Sequence, residues 1–263
     1  MQKTKIEWCT MTFNPVTGCL HGCNYCYAKK IAKRFGGHGK ISEDFLFNVT
    51  LNQPLRVGPK ICPFPYDFTP TFHRYRLDEP IKHKKPQRIF VVSMGDLFGD
   101  WVPTSWILEV FEACKKAPQH KYMFLTKNPK RYYQLLSNDQ LPELPNFFYG
   151  TTINTMRELD RAFFCYSMKI HTFLSIEPIL EAFPMDNYDL PSLYTHDLVI
   201  LGAETGNRKG KIQPKKEWIT PLLKECEASV SVFMKDSLIP VMGEEHMLRE
   251  IPFGMRTKKG ANK

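Results

Sequence analysis

Six apolar segments recur along the chain at the interval of a strand-plus-helix unit, and that rhythm limits the possible folds more than any other feature. They are RIFVVSMGDLF from Arg88, KYMFLTKNP from Lys121, FFYGTTIN from Phe147, HTFLSIEP from His171, DLVILGAETG from Asp197 and VFMKDS from Val232. Each is β-branched or aromatic and ends in polar residues or glycine, the pattern of a strand buried on both faces. Successive starts lie 24 to 35 residues apart, too far for hairpins and right for βα units, so the strands are expected to run parallel. A further strand is expected near residues 10–16. Between them, residues 103–117 place Ile107, Val110, Phe111 and Cys114 on one helical face behind Pro103. Asn128 and Pro129 precede a Tyr132, Leu135, Leu136 stripe, and Thr155 with Glu158 makes a capping-box pattern ahead of Leu159, Ala162 and Phe163.

The reading is an α/β fold, a single parallel (β/α) barrel, partial, of six to seven strands, over residues 1–254. A chain of 263 residues suits one such domain. The stretch 52–86, punctuated by Pro54, Pro59, Pro63, Pro65, Pro70 and Pro80, reads as an insertion before the second strand, and 255–263 as a basic tail. With 43% hydrophobic and 24% charged residues, disordered, collagen-like and coiled-coil classes are poor fits. Apolar runs such as 198–201 fall far below the roughly 18 residues of a spanning helix, and residues 1–10 lack a signal-peptide core, so a cytoplasmic protein without a membrane partner is expected. The net charge of +9 favours anionic partners such as nucleic acid or nucleotides, with small clusters at 82–85, 208–216 and 256–263. A solvated basic surface accounts for it equally well.

Parallel-sheet enzymes place their chemistry at the carboxyl ends of the strands. There the sequence puts Ser93 and Asp96, Thr126 and Lys127, Thr151, Thr152 and Asn154, Ser175 and Glu177, Glu204, Lys235 and Asp236. Any one of them suits a helix cap; the set predicts one polar opening. Lys127 and Lys235 suit a bound carboxylate or phosphate, or an internal pairing with Glu177 or Glu204.

The sharpest local motif is GCLHGCNYCYA, where Cys19, Cys23 and Cys26 make C-x-x-x-C-x-x-C at the end of the first expected strand, ahead of the helix-forming CYAKKIAKRF. Eight cysteines in a cytosolic chain point to metal binding or burial rather than to disulfides. A four-iron four-sulfur cluster normally takes one cysteine per iron, so three ligands leave one iron open to a non-protein group. Gly22 lets the loop wrap closely. The competing reading is structural zinc in a nucleic-acid-binding protein without catalysis, with Cys9, His21, Cys62 or His73 as fourth ligand. Cys114, Cys165 and Cys226, on expected helices, and Cys62, in the insertion, read as core or surface thiols. His73 reads as a surface or packing residue, and Trp8, Trp101, Trp106 and Trp218 as packing anchors rather than a base-stacking platform.

With Tyr25 directly before the third cysteine, the motif resembles that of the radical S-adenosylmethionine superfamily. The stretches WCTMTFNPVTGC, SMGDLF, LTKNP, FLSIEP, LGAETG and VFMKDS are similar to an uncharacterised phage- and prophage-type branch of it, over nearly the whole chain. The resemblance implies a 4Fe-4S cluster on Cys19, Cys23 and Cys26 whose open iron chelates S-adenosylmethionine. It also implies reduction by an external one-electron donor such as flavodoxin or ferredoxin, release of methionine and formation of a 5′-deoxyadenosyl radical. Carried over by position, Ser93, Met94 and Asp96 fall where the superfamily contacts the methionine amino group, with SMGD replacing the usual paired glycines and glutamate and with the carbonyls of Ser93 and Met94 as further contacts. Thr151, Thr152 and Asn154 resemble ribose-binding positions, and Tyr25 with Ser175, Ile176 or Glu177 adenine-binding ones. Lys127, Glu177, Glu204 and Lys235 are the catalytic candidates, on an unknown substrate for which a nucleic acid or nucleotide is expected.

Overall fold

The computed structural model describes residues 1–37, 39, 49–162, 170–183, 195–226 and 230–257. Its main sheet has eight strands, seven of them parallel: Met11–Phe13, Arg88–Val91, Lys121–Thr126, Phe147–Thr152, Thr172–Ile176, Leu198–Leu201 and Ser231–Met234. Consecutive members pair in sequence order, and Gln2–Lys3 adds an antiparallel strand beside the first. All seven expected strands are therefore present within a few residues of their expected positions, in a mixed α/β fold. The expected barrel is not closed by backbone pairing among the described residues, because Ser231–Met234 is bonded in the sheet on one side only.

Strand alternation gives the sheet two different faces. Ile89, Val91, Tyr122, Phe124, Phe147 and Tyr149 point to one side, where they pack against Trp106, Ile107, Val110, Phe111 and Cys114 of the helix Thr104–Lys115 and against Tyr132 and Leu135 of the helix Lys130–Ser137. Further along, Leu174, Ile176, Val199, Leu201, Val232 and Met234 meet Ile219, Leu222 and Cys226 of the helix Lys216–Cys226. The residues between them, Phe90, Met123, Phe148, Phe173, Ile200 and Phe233, gather with Trp8 into one separate cluster. The Trp8 ring lies 4.7 Å from that of Phe90 on the second parallel strand and 6.1 Å from that of Phe173 on the fifth, closer than a flat sheet would bring those two strands, so the sheet curves around this cluster. Across the gap between the outer strands, Glu7 Oε2 accepts from the Asp236 amide (2.7 Å) and from Arg249 (3.3 Å), and Arg249 also pairs with Asp236.

The insertion is not a free excursion. Its strand Thr71–His73 pairs antiparallel with Val16–Thr17 and parallel with Val49–Leu51, so it packs beside the segment that leads into the cysteine motif. The expected capping box does not form: the Thr155 side chain makes no capping bond, Met156–Glu158 is a single 3-10 turn, and Glu158 instead accepts the Asn154 amide at 2.6 Å. Phe163 and Cys165 lie outside the described residues, as do residues 258–263 of the basic tail.

Candidate functional site

The cysteine loop starts at Gly18, whose φ of +89° and close neighbours both demand glycine: a Cβ there would lie 2.4 Å from the Thr69 carbonyl oxygen. The Gly18 amide donates to Met94 O (2.9 Å) and the Cys19 amide to Phe68 O (3.2 Å), which fixes the loop between the second strand and the insertion. The Cys26 amide closes a turn onto Cys23 O, and Cys26 Sγ caps the helix Tyr27–Phe35 by accepting from the Lys29 amide at 3.4 Å.

Cys19, Cys23 and Cys26 all line a cavity of about 220 Å³ at the carboxyl ends of the strands. Tyr25, Ser93, Asp96, Lys127, Thr152, Ser175, Glu177, Glu204 and Lys235 line it too, while Ile6, Trp8, Phe68, Phe90 and Leu125 supply apolar wall. Thus these twelve of the residues singled out from the sequence, with Thr126, converge on one opening, whereas Asp236 does not line it. Met94, Thr151 and Asn154 do not line it. Thr151 is fully buried and its hydroxyl donates to Thr126 O at 3.1 Å, so it braces two strands. Ile176 likewise points to the helix-side core. The carbonyls of Ser93 and Met94 already accept from the Tyr27 hydroxyl (2.8 Å) and the Gly18 amide.

Asn154 works from behind the wall. Its side-chain oxygen accepts from the Tyr25 hydroxyl (2.6 Å) and from the Lys127 ammonium, and its amide nitrogen donates to Pro178 O (2.9 Å). The Lys127 ammonium also lies 5.5 Å from the Tyr25 ring centroid, a cation–π distance, and burial pushes its pKa down. Two ion pairs face the same space. Lys235 pairs with Glu177, and Arg208 forks onto Glu204 with contacts of 2.6 and 2.7 Å that hold the Glu204 carboxyl below its usual pKa.

Asp96 is the most heavily bonded group in the site. Its carboxylate accepts from His21 Nε2 (2.7 Å), the Phe98 amide (2.9 Å), the Thr126 hydroxyl (2.8 Å) and the Lys127 amide (3.1 Å). Burial alone would raise its pKa; the donors, His21 foremost, outweigh that and leave it lowered. These contacts occupy both oxygens, so Asp96 ties the cysteine loop to the second and third strands. The sequence marked Asp96 and considered His21 only as a zinc ligand, because nothing in a linear chain signals a contact across 75 residues.

The donor chemistry can be tested against the groups suggested for it. Cys9 Sγ donates to Ile6 O (3.7 Å), Cys62 Sγ to Phe35 O (3.8 Å), and His73 is fully buried against Thr17 (2.9 Å) with its pKa driven down to about 2 by burial. None of the three lines the cavity, and His21 is committed to Asp96. No group of three or more His, Cys, Asp or Glu among the described residues is arranged to hold a single metal ion. Tetrahedral zinc needs its sulfurs about 3.8 Å apart, whereas a cubane cluster gives each thiolate its own iron. Three cysteines on one loop, all lining one cavity, are a donor set that a cubane cluster with one thiolate per iron would take. Burial, with the Asp96 charge, pushes the Cys19 thiol up to about 12, so a metal is what would deprotonate it.

Thiol accessibility offers a direct check on this arrangement. Cys23 and Cys26 are half-buried, whereas Cys9, Cys114 and Cys226 are buried and burial raises all three thiols, Cys9 and Cys226 to about 12. Since the thiolate is the nucleophile, iodoacetamide at pH 8 should label Cys23 and Cys26 of the metal-free native protein at least roughly tenfold faster than the other three. Equal rates by peptide mass spectrometry would contradict the placement of the loop.

A family model described as "Protein of unknown function (DUF5131)" matches residues 3–238. No curated protein sequence matches the chain. Among solved structures, spore photoproduct lyase complexed with dinucleoside spore photoproduct overlaps 83% of this chain at 10% identity with a TM-score of 0.44. A cysteine-to-serine variant of that lyase overlaps 85% at 10% identity with a TM-score of 0.48, and a variant with bound AdoMet overlaps 81% with a TM-score of 0.42. The chain spans 61% of the length of the first of these and 76% of the second.

Proposed function

We propose that this chain, which belongs to the DUF5131 family of proteins of unknown function, is a radical S-adenosylmethionine enzyme built on a partial (β/α) barrel. The observation that carries the reading is the joint placement of Cys19, Cys23 and Cys26 around one cavity at the carboxyl ends of a parallel sheet, with no fourth cysteine turned toward it among the described residues. When bound, a 4Fe-4S cluster on these thiolates would supply an open iron for the amino and carboxylate groups of S-adenosylmethionine and the electron that cleaves its sulfonium to methionine and a 5′-deoxyadenosyl radical.

The residues of the chain then take distinct parts. Asp96 and His21 hold the cysteine loop in place, so they are positioning residues. Tyr25 and Lys127, aligned through Asn154, present a hydroxyphenyl ring and a cation, the latter suited to a carboxylate. Ser93, Thr152 and Ser175 offer hydroxyls to a ribose or an amino acid. Ile6, Trp8, Phe68, Phe90 and Leu125 keep water from a reactive intermediate. The Lys235–Glu177 pair stands where a substrate anion can exchange for the carboxylate.

The reading is tested by anaerobic reconstitution with iron and sulfide, then incubation with S-adenosylmethionine and a strong reductant. The expected outcome is a brown, oxygen-sensitive protein with about four irons and four sulfides per chain that releases 5′-deoxyadenosine even without substrate. Colourless protein carrying stoichiometric zinc would replace it with the structural-zinc reading, and a cluster without deoxyadenosine would leave a non-catalytic site.

A further inference from the structure

A quarter of the 36 lysines and arginines of the chain lie in two segments beside the cavity. The helix Tyr27–Phe35 carries Lys29, Lys30, Lys33 and Arg34, and the loop 205–216 carries Arg208, Lys209, Lys211, Lys215 and Lys216. These 21 residues hold nine cations and no carboxylate, against a net charge of +9 for all 263. The two segments border the same opening: Tyr27 and Ala28 line it from the helix, Glu204 and Thr205 from the root of the loop, and Lys30 is near enough to Glu204 to lower its pKa.

The loop is also anchored. Glu204, 5% exposed, accepts both arms of Arg208, and the Lys211 amide donates to Arg208 O (3.2 Å), which folds the segment back on itself beside a buried carboxylate. Gly206 and Gly210 take positive φ with open space around them, so the backbone turns there lie at the surface. Beside this loop the helix shows a second feature. Tyr27, Ile31 and Phe35 recur every fourth residue and are 48%, 38% and 51% exposed, an apolar stripe between rows of lysine. The Arg34 guanidinium lies 5.3 Å from the Phe35 ring centroid.

Cations that track a backbone, interleaved with exposed rings on which bases can stack, are the combination that holds single-stranded nucleic acid. We infer that the helix Tyr27–Phe35 and the loop 205–216 form a docking rim for a single-stranded nucleic acid, whose phosphates lie on the lysines and whose bases stack on Tyr27 and Phe35, so that one nucleotide is presented to the cavity. The inference rests on the proposed enzymatic reading only in naming that polymer as the substrate. Binding to the rim requires no cluster. A duplex would meet the cations but could not offer unstacked bases to the rings.

The test is fluorescence anisotropy with a labelled single-stranded oligonucleotide and the same sequence as a flush duplex, using the metal-free chain. Affinity for the single strand should exceed that for the duplex and fall steeply as salt rises from 50 to 200 mM, because each phosphate contact releases a counterion. The triple variant Lys30→Glu, Lys33→Glu, Lys209→Glu should lose at least about tenfold in affinity and show a shallower salt slope. Phe35→Ala should lose roughly tenfold with the slope unchanged, since it removes stacking and no charge. The control Lys3→Glu, Lys84→Glu, Lys85→Glu makes the same charge change around the cavity at the amino ends of the strands and should stay within about twofold. Equal losses in rim and control variants, or a preference for duplex, would overturn the inference. So would rim variants that bind the oligonucleotide normally yet fail only with an acidic electron-donor protein. Deoxyadenosine release without substrate reports on the enzymatic reading separately, so one can fail without the other.

Discussion

Replacing Cys19, Cys23 or Cys26 by alanine is expected to abolish incorporation of iron and sulfide, while Cys9→Ala and Cys62→Ala leave it intact. A cluster on three protein ligands has no spare one, and Cys9 and Cys62 are turned to backbone carbonyls away from the cavity. Each loop variant should also lose deoxyadenosine formation by at least about a hundredfold while melting within a few degrees of the parent metal-free chain, because the loop thiols are only half-buried and contribute little packing. The exception is instructive: Cys26 caps a helix through its sulfur, so Cys26→Ser should keep more stability than Cys26→Ala, a serine hydroxyl being a better cap. Iron retained in any of the three alanine variants, or lost in Cys9→Ala or Cys62→Ala, would refute the three-ligand assignment.

Asp96→Asn is expected to cost about 3 kcal/mol of folding stability at pH 7, since a neutral amide cannot accept from four donors that now converge on two carboxylate oxygens. The sign of the pH dependence follows from the lowered pKa. A carboxylate whose folded pKa lies below the ordinary value of 3.8 stabilises the fold above that value and loses the contribution as pH falls through its folded pKa. The gap between parent and variant should therefore be widest near neutrality and shrink in acid. Urea midpoints at pH 7 and pH 3 measure it, and a gap that does not narrow would mean that the carboxylate charge is not what the donors hold. Iron affinity should fall in the same variant, as the tether of His21 weakens.

The strands were legible because each is apolar on both faces and ends in polar residues, a pattern that survives without any knowledge of partners. The polar set was legible for the same reason, since a parallel sheet sends every strand end to one side. What went astray was parity. Thr152, Ser175 and Lys235 share the phase of Phe148, Phe173 and Phe233 and reach the cavity, while Thr151 and Ile176 belong to the opposite phase and face the helices. Counting in twos from the inner aromatics would have separated them. No such rule finds the His21–Asp96 contact, the shielding by Phe68, or Asn154 as the common acceptor of Tyr25 and Lys127, because each joins segments that only the folded chain brings together. The basic rim was half visible: the charges of 208–216 stood out, but their neighbour on the cysteine-capped helix was hidden by 170 residues of intervening sequence.

The side-chain bridge from Glu7 to Asp236 and Arg249 has a kinetic corollary. Its two bonds to Glu7, the one from Arg249 also an ion pair, join residues 229 and 242 positions apart, whereas each adjacent strand pair closes a far shorter loop. Loop-closure entropy makes such a distant contact late. During synthesis the cysteine loop and Trp8 are made first and Lys235 last, so the half-built wall around the thiols stands open to solvent until the seventh parallel strand docks. On the proposed reading, cluster delivery would have a natural window, after the loop has been tied down through Asp96 and before the seam draws the two margins together, and a chain whose seam is weakened by Glu7→Ala should load iron faster yet surrender it sooner to a chelator.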